Sequence, residues 1–124
     1  MYQGKKILIV DDSKTERQII KDIVVSLNFE IFEAETALDG IQKAEEIRPD
    51  VILMDVVMPG MNGFQATKQL SLDSNLKTIP IIMCTSKNLT TDKMWGTRQG
   101  AKAYIVKPVH EEDLIAAIKS VLGD

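Results

Sequence analysis

A single cysteine, Cys84, in 124 residues rules out an internal disulfide framework and a zinc site built from several thiolates. The chain also lacks a basic excess: 15 Lys and Arg stand against 18 Asp and Glu, a net charge of −3, which argues against a generic nucleic-acid binder. Long hydrophobic runs are missing too. The longest, such as Ile7–Val10 and Val51–Met54, are strand-sized, far short of the ~20 apolar residues of a membrane span. The opening MYQGKK leads straight into a strand-like run, with no signal-peptide core. The four prolines lie beside apolar runs, and there is no repeat, low-complexity segment or linker. The expectation is one cytoplasmic domain spanning residues 1–124, with no membrane span and no nucleic-acid partner.

What is present is an alternation of short apolar runs with amphipathic stretches. Lys6–Val10 reads as a strand buried on both faces. Ser13 and Glu16 form a capping-box pattern ahead of a helix over roughly 14–27. Glu30–Ala34 is a short strand suited to an edge. Thr36 and Asp39 repeat the capping pattern before a helix that stops short of Pro49. Val51–Met54 is the most apolar strand. A turn-rich loop, Met58 to Gly63, precedes a helix over Phe64–Leu72. Pro80–Cys84 is a strand, 91–99 a helix stopped by Gly100, Ala103–Val106 a strand and Glu111–Leu122 a final helix. Five such β–α units imply a doubly wound parallel sheet covered on both faces.

In such sheets ligands bind at the carboxyl ends of the strands. Those ends carry Asp11 and Asp12, then Asp55, then Thr85 and Ser86, then Lys107. Taken singly, each is a plausible turn or cap residue. Together they converge three acids, a hydroxyl and an ammonium on one edge. Two carboxylates ~4 Å apart repel by roughly 4 kcal/mol at an effective dielectric of ~20, so three need cations to offset them. Lys107 supplies one charge. An all-oxygen donor set favours a hard divalent ion such as Mg²⁺ for the rest. A carboxylate, a metal, a hydroxyl and a lysine around one point suit an aspartyl-phosphate, with Asp55 as the nucleophile.

The motif set Asp11-Asp12-Ser13, Asp55, Met58–Gly63, Pro80–Ser86 and Gly100–Pro108 resembles the receiver domains of two-component response regulators, over essentially the whole chain. That resemblance implies a flavodoxin-like, CheY-like fold with strand order 2-1-3-4-5 and five helices. It implies that Asp55 accepts a phosphoryl group from the phosphohistidine of a sensor kinase. Asp12, Asp55 and the Val57 carbonyl would bind Mg²⁺, with Asp11 acting through a water. Thr85 would donate to the phosphate, Lys107 would pair with it, and Tyr104 would follow Thr85 inward as a switch. The Lys107–Pro108 peptide is expected to be cis. The fourth helix, fifth strand and fifth helix would form the changed surface. Val57, Ser86 and Lys87 occupy tuning positions. The protein would be no enzyme, but a phosphoacceptor assisting its own phosphorylation and dephosphorylation, as a monomer or weak dimer.

The segments Gly63–Leu70 and Asp92–Gly100 resemble twitching-motility regulators of type IV pili more narrowly. Met94 and Trp95 are candidates for docking a downstream motility or signalling protein, with core packing of Trp95 as the alternative. With no output domain expected after residue 124, the chain signals by docking or drains a shared kinase as a phosphate sink. Three competing readings are a haloacid-dehalogenase-type hydrolase, an FMN protein and a phosphorylation-independent interaction module. The first wants a second acid where Val57 stands, and the second a phosphate loop where Asp11 and Asp12 stand. The third does not need the intact acidic set with Thr85 and Lys107. His110 is expected to cap or face solvent, Cys84 to pack as a small hydrophobe, and Lys43, Glu45, Glu46 and Arg48 to form a solvated helix face.

Overall fold

A computed structural model describes residues 1–123. Among them, five strands alternate with five α-helices. The first half comprises β1 (Lys6–Val10), α1 (Lys14–Val24), β2 (Glu30–Ala34), α2 (Ala37–Ile47) and β3 (Val51–Met54). The second comprises α3 (Gly63–Leu72), β4 (Ile81–Thr85), α4 (Thr90–Gln99), β5 (Ala103–Val106) and α5 (Glu111–Leu122). Every strand pairing is parallel, and the order is β2-β1-β3-β4-β5, the order expected above.

The continuous apolar runs follow from burial on both faces. Ile7, Ile9, Leu53 and Ile82 meet Ile20 and Val24 of α1 and Leu114 and Ile118 of α5. The alternate residues Leu8, Val10, Ile52 and Met54 meet Ile41 and Ala44 of α2 and Ala66 and Leu70 of α3. Each large side chain so buried contributes about 1.5–3 kcal/mol. Cys84 packs among them, and burial pushes its thiol up to about 12.

Helix α1 is shorter than its apolar spacing predicts: it ends at Val24, and a 3₁₀ turn carries the chain through Leu27 to a left-handed Asn28. Its capping box is half formed. Ser13 accepts from the Glu16 N–H, but the Ser13 N–H donates to Asp11 Oδ1, leaving the Glu16 carboxylate to face elsewhere. Thr36 likewise caps the Asp39 N–H, while the Asp39 carboxylate lies 3.6 Å from Lys43. The full reciprocal box is at Asn62 and Gln65, at the start of α3. His110 is the exposed N-cap of α5 and makes no side-chain capping bond.

Lys43 departs from the expected solvated face. It is half-buried and donates to the Glu33 carbonyl, because β2 lies at the sheet edge under α2. Arg17 is also drawn inward. It is buried, donates to the Asp11 carbonyl at 2.7 Å and pairs with Glu33 at 2.9 Å. Partial burial pushes the Glu33 carboxyl up, but hydrogen bonds and charge from Lys21 and Arg17 outweigh it and hold the group below its ordinary 4.5. Its contribution to stability is therefore present above pH 4.5 and lost as the pH falls through the lowered value. Glu33→Gln is expected to cost about 1 kcal/mol at pH 7, the modest figure for a half-exposed partner. In urea melts the gap to wild type should narrow as the pH falls below 4.5 and close in strong acid; a gap that persists there would locate the effect outside the ion pair.

Candidate functional site

Register builds the site. Val10 pairs with Met54, so the next residues, Asp11 and Asp55, leave adjacent strands side by side. Thr85 pairs with Val106, which sets Lys107 just past the mouth of the sheet, its N–H donating to the Thr85 carbonyl at 2.8 Å. The crevice lies where β1 is flanked by β2 on one side and β3 on the other, the switch point of the topology.

Asp11, Asp55 and Thr85 are buried, and Asp12 is exposed at the rim. One carboxylate oxygen from each of Asp11, Asp12 and Asp55 lies within 4.8 Å of the others. Lys107 Nζ lies 2.7 Å from Asp11 and 3.3 Å from Asp55. Asp55 Oδ1 accepts the N–H groups of Val56 at 2.7 Å and Val57 at 3.3 Å, which fixes its rotamer. Burial raises the Asp55 carboxyl above its ordinary value and the Asp11 charge adds to this; Lys107, Thr85 and the Val57 N–H pull the other way without cancelling it. Burial acts to lower Lys107, yet the Asp11 hydrogen bond and the charges of Asp55, Asp11 and Glu16 raise it overall, so it is a firm ammonium.

The remaining predicted residues surround this centre. The Lys107–Pro108 peptide is cis. Val57, Ser86 and Lys87 are exposed beside it. The Lys87 N–H approaches Thr85 Oγ1 at 3.4 Å, and Tyr104 donates its hydroxyl to the Lys87 carbonyl at 2.8 Å. Burial, with the charges of Asp92 and Asp55, pushes the Tyr104 phenol up to about 12, so it remains a donor. Met94 and Trp95 are 59% and 47% exposed, which decides against core packing of Trp95. The only buried residue of α4 is Gly96: a Cβ there would lie 2.8 Å from Met83 Sδ and 3.2 Å from the Tyr104 ring. Two residues near the centre were not anticipated for it. Glu16 lies 3.9 Å from Lys107, and Arg17 holds the Asp11 backbone; their helix-forming pattern hid both.

The family described as the response regulator receiver domain matches residues 7–119. The chain belongs to that family. This receiver is 49% identical over 118 residues to the protein PilH of Pseudomonas aeruginosa, covering 95% of this chain and 98% of that protein. It is 35% identical over 120 residues to the chemotaxis protein CheY of Thermotoga maritima, covering 95% and 98%. The Vibrio cholerae chemotaxis protein CheY4 superposes with a TM-score of 0.88 at 35% identity, covering 95% of this chain and 98% of that one. A response regulator structure from Chloroflexus aurantiacus does so at 0.93 with 27% identity, covering 98% and 100%.

Receiver domains take phosphoryl groups from histidine kinases, bind downstream targets and hold Mg²⁺ at an acidic pocket. The oxygen-only donor set of Asp11, Asp12 and Asp55 fits that ion. No helix among the described residues is long and apolar enough to cross a membrane.

Proposed function

We propose that this receiver accepts a phosphoryl group on Asp55 from the phosphohistidine of a sensor kinase and relays the event through α4, β5 and α5 to a protein partner. The observation that carries this is the lysine bridging two buried aspartates, at 2.7 and 3.3 Å, beside a third acid. An Asp55 carboxylate oxygen attacks phosphorus, the P–N bond to the kinase histidine breaks, and an acyl phosphate forms. Lys107 turns to the phosphoryl oxygens and Thr85 donates its hydroxyl to one of them. Mg²⁺, held by Asp12, Asp55 and the Val57 carbonyl with Asp11 through a water, would neutralise charge on the phosphoryl group. The chain is then a phosphoacceptor that assists its own reaction, not an enzyme with a separate substrate.

The link to α4 runs through Thr85, Lys87 and Tyr104, which share the β4–α4 loop and the ring against Gly96. The phosphate has to favour one of two arrangements of this link to shift the population. Exposed Met94 and Trp95 are the docking residues we favour. The pathway we favour is motility of the type IV pilus kind, supported by the 49% identity to PilH.

The test is incubation with Mg²⁺ and acetyl phosphate, followed by intact-mass and peptide analysis. One phosphoryl group on Asp55 supports the reading. Turnover of general phosphatase substrates would support a hydrolase. No adduct from acetyl phosphate or a cognate kinase would leave an interaction module. Pulldown with and without beryllofluoride then isolates the partner. The exposed apolar Val57 offers no polar group to orient an attacking water, so decay of the phosphoprotein is expected to be slower than in receivers with a polar side chain there. Val57→Asn should hasten loss of label severalfold; an unchanged or slower decay would contradict this role.

A further inference from the structure

Lys107 faces three carboxylates, and one of them lies outside the metal-holding group. Its Nζ is 2.7 Å from Asp11, 3.3 Å from Asp55 and 3.9 Å from Glu16 Oε2. The Asp11 carboxylate is engaged at both oxygens: Oδ1 accepts the Ser13 N–H at 2.9 Å and Oδ2 accepts Lys107. An oxygen that holds an ammonium this closely cannot also serve a divalent cation without setting two positive centres against each other. A cation entering the cluster, even one that Asp11 meets through a water, therefore repels Lys107 and loosens its hold on Asp11 and Asp55. The lysine side chain is only 12% exposed, so its ammonium cannot simply retreat into water and needs an acceptor within reach.

Glu16 is that acceptor. It stands in the first turn of α1, with its side chain 34% exposed, and its carboxylate is spared from capping because Asp11 has taken the Ser13 N–H. A shift of about 1 Å closes the gap to an ordinary charge-assisted hydrogen bond. Resting on the receiver reading of the site, we infer that Glu16 is a positioning residue for the cation: it takes the Lys107 ammonium when Asp11 turns toward Mg²⁺, and so sets the affinity of the acidic cluster for the ion.

The test is a coupling cycle read by calorimetric titration of the purified chain with MgCl₂, without any phosphodonor. Glu16→Gln should bind Mg²⁺ about fivefold more weakly, the size of one half-exposed ion pair. In a Lys107→Met background the same substitution should change nothing, since the ammonium it serves is gone. Glu16→Ala should behave as Glu16→Gln does, with helical circular dichroism confirming that both variants fold. Equal affinity of wild type and Glu16→Gln would overturn the proposal. So would equal weakening in both backgrounds, which would reduce Glu16 to a distant charge. A wild-type chain that binds no Mg²⁺ would instead defeat the receiver reading itself, and this role with it.

Discussion

Asp55→Asn is expected to abolish phosphoryl uptake from acetyl phosphate and to stabilise the fold in the absence of Mg²⁺. The first effect follows from the loss of the anionic oxygen that attacks phosphorus, which no other group at the site replaces: Asp11 is held by Ser13 and Lys107, and Asp12 lies at the exposed rim. Labelled phosphate on the protein should fall to background. The second effect comes from burial. Asp55 holds its proton more tightly in the fold than in the unfolded chain, where 3.8 applies. Between that value and the raised one the folded form binds more protons, so its ionisation works against folding at every higher pH. The neutral amide removes this burden, and the gain should vanish below pH 3.8. Thermal melts at neutral and acid pH check the sign. Mg²⁺ should reverse the ranking by stabilising the wild type through mass action. Label retained on Asp55→Asn would place the acceptor elsewhere.

Gly63→Ala should be the most damaging single methyl in the chain. A Cβ at this first residue of α3 would lie 2.0 Å from the Asp55 carbonyl oxygen and 2.8 Å from the Val56 Cα. Both obstacles are backbone, so no rotamer relieves them, and the Gly63 N–H is already committed to the Val56 carbonyl at 2.9 Å. Either α3 lifts, abandoning Ala66 and Leu70 in the core, or the end of β3 moves and carries Asp55 with it. A cost of about 3 kcal/mol or more is expected, with Mg²⁺ binding weakened in whatever folds. Gly60→Ala is the comparison. Gly60 sits at φ +76° with nothing within 4 Å of the added methyl, so only the left-handed backbone resists, at about 1 kcal/mol. Urea unfolding of the two variants separates them. Similar losses would mean that the close approach at Gly63 relaxes freely.

Much of this molecule was legible in one dimension because local pattern and strand-end placement are local facts. Apolar runs of four or five residues announced strands buried on both faces, and Asp11, Asp55, Thr85 and Lys107 fell at or just past their ends because each run stops there. The capping residues Ser13 and Thr36 were visible for the same reason, and both cap as expected. Helix α4 was harder. It presents no apolar stripe, so spacing alone left Trp95 facing in or out; the structure turns it outward because Gly96 is the residue that meets Met83 and Tyr104.

The sequence by itself determined the alternation of elements, the doubly wound class and which side chains stand at the mouth of the sheet. Tertiary structure alone decided who touches whom there. It set Lys107 between Asp11 and Asp55, 96 and 52 residues away, turned Glu16 from its cap toward that lysine, and pressed Gly63 against the Asp55 carbonyl. The reason is that periodicity records which face of an element is apolar. It does not record distances between atoms that only strand register and helix docking bring together.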